Sequence, residues 1–322
     1  MRKIVISIIN YRTGDLTRAC AQSVLEDLGE IDGDIVIVDN ASGDGSAELL
    51  ADWIDTLPED SPVRLIRSDT NSGFSGGHNQ SFRAVEAEYY LVLNSDSVLR
   101  PGFLARMIAV ADANPQAGLI SPSILNERDE PQVGAFRFHS PLSELMRAAK
   151  TGPLDKLLAR KRVPIPAPVD PEQVEWVSFA CVMLRKAMID AIGEMDEGYF
   201  LYYEDSEYSL RARRAGWGIA HVPEAAAVHY QGGSGTLVED ASAHKRLPPY
   251  FYASRTRFLY QAHGQVGLIT ANLLWHLGRG LAHLRRLAGK PVPPANVAEY
   301  RDIWTNAFNP LGPRYAPWEM EP

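Results

Sequence analysis

The first hundred residues alternate short apolar runs with amphipathic stretches. Residues 4–9, 34–38, 63–66 and 89–93 are rich in Ile, Val, Leu and Tyr. Runs of that length predict parallel strands covered on both faces. Between them the spacing predicts helices over residues 17–28, 47–57 and 78–87, with Ser46 as N-cap of the second. Pro101-Gly102-Phe103 opens a fourth helix. This order predicts a doubly wound, parallel α/β sheet, which binds ligands at the carboxyl ends of its strands. Polar residues stand at three such ends: Asn10-Tyr11, Asp39-Asn40 and Asn94-Ser95-Asp96. They converge on one crevice.

Further along the pattern loosens. Residues 132–175 hold a basic stretch, 150–162, and a proline-rich loop, 164–168. The basic stretch faces an anionic surface or water. Residues 176–184 read as a strand, 204–215 as a helix ended by Gly216, and 217–221 and 226–230 as two short strands. Gly232-Gly233-Ser234-Gly235 reads as flexible, and 250–288 as mostly helical. There Leu274, Leu277, Leu281 and Leu284 share one face, opposite Arg279, His283 and Arg286. Gly278 and Gly280 weaken this helix. Such a stripe lies in a membrane interface, or packs on the catalytic domain or a second subunit of a homodimer.

Charge removes one class of partner. Lys and Arg number 32 against 40 Asp and Glu, a net charge of −8, which argues against nucleic acid. Cys20 and Cys181 form no metal spacing and suit a reducing cytoplasm. The N-terminal apolar run is too short for a signal peptide. No stretch reaches the roughly 18 apolar residues of a spanning helix.

Four segments carry chemistry. A carboxylate such as Asp96, just past a buried strand, needs a partner. A divalent metal on a diphosphate is one, and Mg²⁺ or Mn²⁺ suits oxygen ligands. A turn or helix cap is the plainer role for such an Asp. Asn71-Ser72-Gly73-Phe74-Ser75-Gly76-Gly77-His78-Asn79 allows close backbone approach and an anion-binding turn, yet matches neither a P-loop nor a dinucleotide fingerprint. The acidic start Glu204-Asp205-Ser206-Glu207 follows Phe200, Leu201, Tyr202 and Tyr203. It complements a helix dipole, and it also suits a sugar site with a carboxylate base. His229 sits on an apolar run, as a core residue or a ligand.

Taken in order, these segments resemble the family 2 glycosyltransferases of GT-A fold, nearest their bacterial rhamnosyltransferase-like branch. The matching stretch runs from residue 4 to about 235. The resemblance implies a Rossmann-like, mostly parallel sheet with flanking helices and a C-terminal helical segment. It implies a catalytic domain over 1–235, with a nucleotide-binding half at 1–100 and an acceptor half at 101–235. Residues 236–322 would then make a membrane or dimer contact. Asp39 would contact the base, with Asn10 and Tyr11 nearby. Asn71, Gly73, Phe74, Asn79, Asn94 and Ser95 would serve the donor. Asp96 and His229 would hold Mg²⁺ or Mn²⁺. Asp205, with Glu204, would deprotonate the acceptor hydroxyl, and Trp176, Tyr202 and Tyr203 would face the acceptor.

Asn94 departs from the family's Asp-x-Asp, and Glu207 from Glu-Asp-x-Asp; Glu207 is expected to support Arg211. The implied reaction is inverting transfer of L-rhamnose from dTDP-L-rhamnose to a saccharide, lipid-linked through a polyprenyl diphosphate, in polysaccharide or cell-wall synthesis. The setting is the cytoplasm, peripheral to the inner face of the plasma membrane. UDP-GlcNAc, UDP-galactofuranose and UDP-glucose are alternative donors. A nucleotidyltransferase would carry a basic glycine-rich loop where this chain has Asn10-Tyr11-Arg12-Thr13-Gly14. A sugar-binding module without catalysis is the remaining alternative.

Overall fold

The computed structural model describes residues 1–166, 169–230 and 237–317. The glycine run at 232–235 and the boundary at 235 lie outside the described residues, as do the last two residues of the proline-rich loop. Among the described residues ten strands are present: β1 (Arg2–Asn10), β2 (Gly33–Asp39), β3 (Val63–Arg67), β4 (Ala87–Asn94), β5 (Ser97–Leu99), β6 (Ala117–Leu125), β7 (Ala135–Phe136), β8 (Trp176–Val177), β9 (Cys181–Arg185) and β10 (Gly218–His229). Eight of them form one sheet in the order β3-β2-β1-β4-β9-β6-β10-β5, while β7 and β8 pair separately.

The first four strands are parallel, as their apolar runs predict: β1 pairs with β2 and β4, and β2 with β3. The sheet then departs from pure parallel order. β9 inserts antiparallel between β4 and β6. The strand expected over 176–184 is broken, its first residues pairing with β7 and the rest joining the large sheet. Conversely, the two short strands expected over 217–230 are one, β10, with a shift in register between Val222 and Ala226. A bulge absorbs the extra residues without ending the pairing.

Helices cover both faces. On one side α1 (Gly14–Leu28), α2 (Ser46–Asp55) and α4 (Phe103–Ala113) bury Cys20, Leu50 and Met107 against Ile4, Ile6 and Ile8. On the other, α3 (Gly73–Ala84), α7 (Lys186–Ile192) and α8 (Glu204–Arg214) bury Phe82, Met188 and Tyr208 with Val5, Val36 and Val92. Odd and even residues of each strand thus serve different cores. Ser46 is not the N-cap expected of it. It begins α2, while Asp44 Oδ1 accepts from its backbone N–H at 3.0 Å.

Beyond β7 come α5 (Pro141–Ala149) and α6 (Gly152–Leu157). Further along come α9 (Leu237–Ser242) and α10 (Pro249–Leu284), which breaks at Gly264, where φ is 69°. Phe258, Leu259 and Leu268 of α10 share a core with Tyr199 and Tyr203. Fully buried Arg255 reaches Glu144 Oε2 of α5 at 2.6 Å and Asn272 Oδ1 at 2.8 Å. Removing one partner of such a buried pair costs about 3–5 kcal/mol. Residues 249–284 therefore pack on α5 and on Tyr199 and Tyr203.

Gly278, which weakens a helix on propensity, is here a packing position. A Cβ on it would lie 2.6 Å from the Leu145 carbonyl and 2.8 Å from Ala148 Cβ.

Candidate active site

Strand register assembles the site. Asn10 lies opposite Asp39, and Ile9 opposite Asn94. At the far edge β5 runs antiparallel to β10 and pairs Ser97 with His229. That pairing carries Asp96 to the histidine: Asp96 Oδ1 lies 3.2 Å from His229 Nε2, and Asn94 Nδ2 lies 3.3 Å from the same nitrogen.

Gln132 orients the imidazole. Its Nε2 donates to the His229 carbonyl at 2.8 Å and to the Leu125 carbonyl at 3.3 Å, which turns its Oε1 toward His229 Nδ1 at 3.4 Å. An amide oxygen only accepts, so Nδ1 carries the hydrogen, and in the neutral ring Nε2 presents a lone pair beside the carboxylate. A carboxylate oxygen and an imidazole lone pair facing one another are the donor set of a cation site with an outer hydrogen bond. Among the described residues no cluster of three or more His, Cys, Asp or Glu gathers as a metal cage. Two protein ligands still fit Mg²⁺ or Mn²⁺ shared with a substrate's phosphates, because such ions keep water and phosphate oxygens in their shell.

A cleft opens beside this pair. Its lining includes Tyr11, Asn71, Gly73, Phe74, Asn94 and Ser95, all expected at the donor. Asn40, His78, Phe200 and Tyr250 also line it, and none had been assigned a role from sequence. Asn40 and His78 sat within the motifs already singled out. Tyr250 and Gln132 carried no signal.

The glycine segment is not a loop. Helix α3 starts at Gly73, five residues before the start expected at 78. Its glycines serve close packing: a Cβ on Gly77 would meet Ile9 Cδ1 at 2.7 Å, and one on Gly73 the Phe200 carbonyl at 2.3 Å. Asn40 ties the turn, donating to Asn71 Oδ1 at 2.9 Å and the Gly73 carbonyl at 3.0 Å. His78 is fully buried, with Nδ1 2.7 Å from Ser7 Oγ and Nε2 without a hydrogen-bond partner. Burial pushes its pKa down to about 3, so the ring is neutral.

Several expected contacts are differently placed. Asn10 spends its amide on Asp39 at 2.6 Å, Ser46 at 2.8 Å and Thr17 at 2.9 Å, so it positions Asp39 from below the surface. Asp39 also accepts from the Ser42 hydroxyl at 2.5 Å. Asn79 does not line the cleft; it latches α3 to Met195 O and Glu197 Oε1, each at 3.0 Å. Tyr203 is a core residue, its ring between His139, Phe251 and Phe258. Tyr202 stacks on Tyr250, which lines the cleft. Trp176 stands in a second cavity of about 490 Å³ with His139, Arg147, Lys161 and Arg162. It stacks on Phe136 with centroids 4.1 Å apart.

Tyr202 and Tyr203 hold positive φ angles of 71° and 68°, a costly conformation for bulky residues. They deliver the acidic start of α8. Glu204 is buried with Oε2 unpaired, and its pKa is raised by burial and by its neighbour Asp205. Burial pushes Asp205 up to about 7, while the N–H groups of Ser206 and Phe179 pull the other way. Next to Phe179, the Ala180 carbonyl accepts from Asn94 N–H at 2.9 Å. The β8–β9 connector thus touches both Asn94 and the raised carboxylate. As expected, Glu207 binds Arg211 through both oxygens, at 2.9 and 3.0 Å.

Known proteins agree with this architecture. The sequence profile of glycosyl transferase family 2 matches residues 4–159. An N-acetylglucosaminyl-diphospho-decaprenol L-rhamnosyltransferase of Mycobacterium tuberculosis is 24% identical over 266 residues, covering 77% of this chain and 80% of that protein. A low-salt glycan biosynthesis hexosyltransferase, Agl10 of Haloferax volcanii, is 28% identical over 62% of this chain and 59% of its own. The fold is shared with a mannosyltransferase of Pyrobaculum calidifontis solved with GDP-Man and Mn²⁺: TM-score 0.53, 14% identity, 96% of this chain and 85% of that one. Residues 4–159 match the family 2 glycosyltransferases, and the chain has the GT-A fold.

Proposed function

We propose that this glycosyltransferase moves L-rhamnose from dTDP-L-rhamnose to a hydroxyl of a saccharide carried on a polyprenyl diphosphate, with inversion at the anomeric carbon. The observation that carries the reading is the Asp96–His229 pair at 3.2 Å beside the cleft. A divalent cation held by that pair offsets charge on the departing diphosphate. Asn40, Asn71 and His78 present polar edges to the donor, and Phe74, Phe200 and Tyr250 give it apolar walls. Asp39, held rigid by Asn10 and Ser42, supports the base end of the cleft.

Asp205 accepts the proton of the acceptor hydroxyl as that oxygen attacks the anomeric carbon. A carboxylate with pKa about 7 is well matched to that transfer near neutral pH. Attack opposite the leaving diphosphate inverts the centre. The rhamnosyl donor and the lipid-diphosphate acceptor are supported by the name of the mycobacterial relative. The test is a donor panel with Mn²⁺, in which dTDP-L-rhamnose and the UDP sugars compete. Consumption of dTDP-L-rhamnose supports the reading, and a preference for a uridine donor overturns the rhamnosyl assignment. The anomeric configuration of the product, by NMR, checks inversion.

A further inference from the structure

The leucine-rich face of α10 is not the face that docks on the rest of the protein. The helical arm 265–284 buries Leu268, Ala271, Asn272, Trp275 and Ala282 inward. It turns Val266, Leu273, Leu277 and Leu284 outward, and Leu287 follows just beyond its end; each is more than half exposed. These positions recur at intervals of seven, four, seven and three, which keeps them on one side of a helix.

Charge gathers at the C-terminal end of this stripe. Segments 150–162 and 279–290 together hold nine Lys and Arg and one acidic residue, Asp155, in a chain whose net charge is −8. The two segments are joined: Arg285 Nη1 donates to the Lys150 carbonyl at 2.6 Å, and Arg279 Nη1 to the Ala148 carbonyl at 3.4 Å. Exposed Leu157, on α6, adds a further apolar side chain on the same segment. Among the described residues, no helix is long and apolar enough to cross a membrane.

We propose that this face lies in the interface of a membrane carrying anionic lipid, the leucine stripe entering the acyl boundary and the cations meeting headgroups. An anionic surface neutralises the nine cations, whereas a second copy of the chain would bring a second set of nine to the contact. Lys161 and Arg162 belong to the basic segment and also line the cavity that holds Trp176. The charged patch therefore continues into the acceptor half.

Sedimentation of the whole protein with vesicles tests this without donor or transfer, so its outcome is independent of the reaction proposed above. The protein binds vesicles of phosphatidylglycerol and phosphatidylcholine, does not bind phosphatidylcholine alone, and is released by salt. Neutralising exposed Arg286 and Lys290 together (Arg286→Gln, Lys290→Gln) lowers partitioning by about 30-fold. Leu277→Ser with Leu284→Ser removes binding at unchanged charge. Light scattering on the same variants covers the other occupant. Failure of the native protein to bind anionic vesicles overturns the proposal. So does a native dimer that the leucine variants convert to monomer.

Discussion

His229 Nε2 stands 3.2 Å from Asp96 Oδ1, brought there by the antiparallel pairing of Ser97 with His229. Gln132 holds the other ring nitrogen and so keeps the lone pair on the Asp96 side. Gln132→Leu removes this outer hydrogen bond together with those to the His229 and Leu125 carbonyls. It is expected to weaken Mn²⁺-supported binding of dTDP by about 10–100-fold, and His229→Ala by more. Without metal, both variants bind as the native protein does. Calorimetric titration of dTDP with and without Mn²⁺ measures this. An equal loss in both conditions would show that Gln132 acts on the nucleotide and not on the cation.

Asp205 couples activity and stability to the same proton. Its pKa is raised to about 7 in the folded protein, chiefly by burial. Such a group contributes stability below the unfolded carboxylate pKa, about 4, and that contribution is lost as pH rises through about 7. Asp205→Asn is therefore expected to stabilise the fold at pH above 7 by up to about 4 kcal/mol, with no gain in acid. The same change lowers transfer by about 10²–10⁴-fold. In the native enzyme kcat/KM rises with pH through about 7 on its acid limb. Urea melts at two pH values and a rate profile check both halves, and an acid limb near 4 would remove Asp205 as the base.

Much of this site was legible because each residue sits at a strand end, where period and order place it. Asn10, Asp39 and Asn94 follow from the apolar runs before them, and register then sets them side by side. The start of α8 was legible from its carboxylates. What stayed hidden depends on distant pairing. Nothing local marks Gln132 as the partner of His229, or Tyr250 as a wall of the cleft. Asn79 and Tyr203 mislead for the converse reason. Both lie in motifs that line the site, but their side chains turn to Met195 and to the core of α10. Of the leucine stripe legible in the sequence, Leu277 and Leu284 turn outward, while Leu274 and Leu281 are half-buried; Gly278, on another side of the helix, makes the close contact with α5.

His78 lies behind the wall of the cleft with its Nε2 buried and unpartnered, and its ring stays neutral because burial lowers its pKa to about 3. A neutral ring offers a hydrogen bond to the donor and no charge to its diphosphate. His78→Phe is expected to weaken donor binding by about tenfold, the size of one neutral hydrogen bond. Affinity in the native protein shows no step from this residue between pH 5 and 8. Fluorescence titration of the nucleotide sugar across that range decides it, since a histidine in charge contact would lose affinity as pH rises past its usual pKa.

Gly73 is where the nucleotide half meets the aromatic run before α8. Its φ is +74°, and a Cβ there would lie 2.3 Å from the Phe200 carbonyl oxygen and 2.9 Å from Phe200 Cα. That carbonyl already accepts from Phe74 N–H at 2.8 Å, so Phe200 cannot retreat without losing a hydrogen bond. Gly73→Ala thus meets two costs, a left-handed backbone and a backbone clash, together about 2–4 kcal/mol. Gly43→Ala separates them. Gly43 has φ of +65° with nothing within 4 Å of its Cβ position, so its cost is the backbone part alone, about 1 kcal/mol. Urea denaturation of the two variants gives the difference that belongs to Phe200. Because Phe200 also lines the cleft, Gly73→Ala raises the donor KM while Gly43→Ala leaves it unchanged. Equal losses of stability in the two variants would mean that the α3 turn yields freely and that Phe200 does not depend on it.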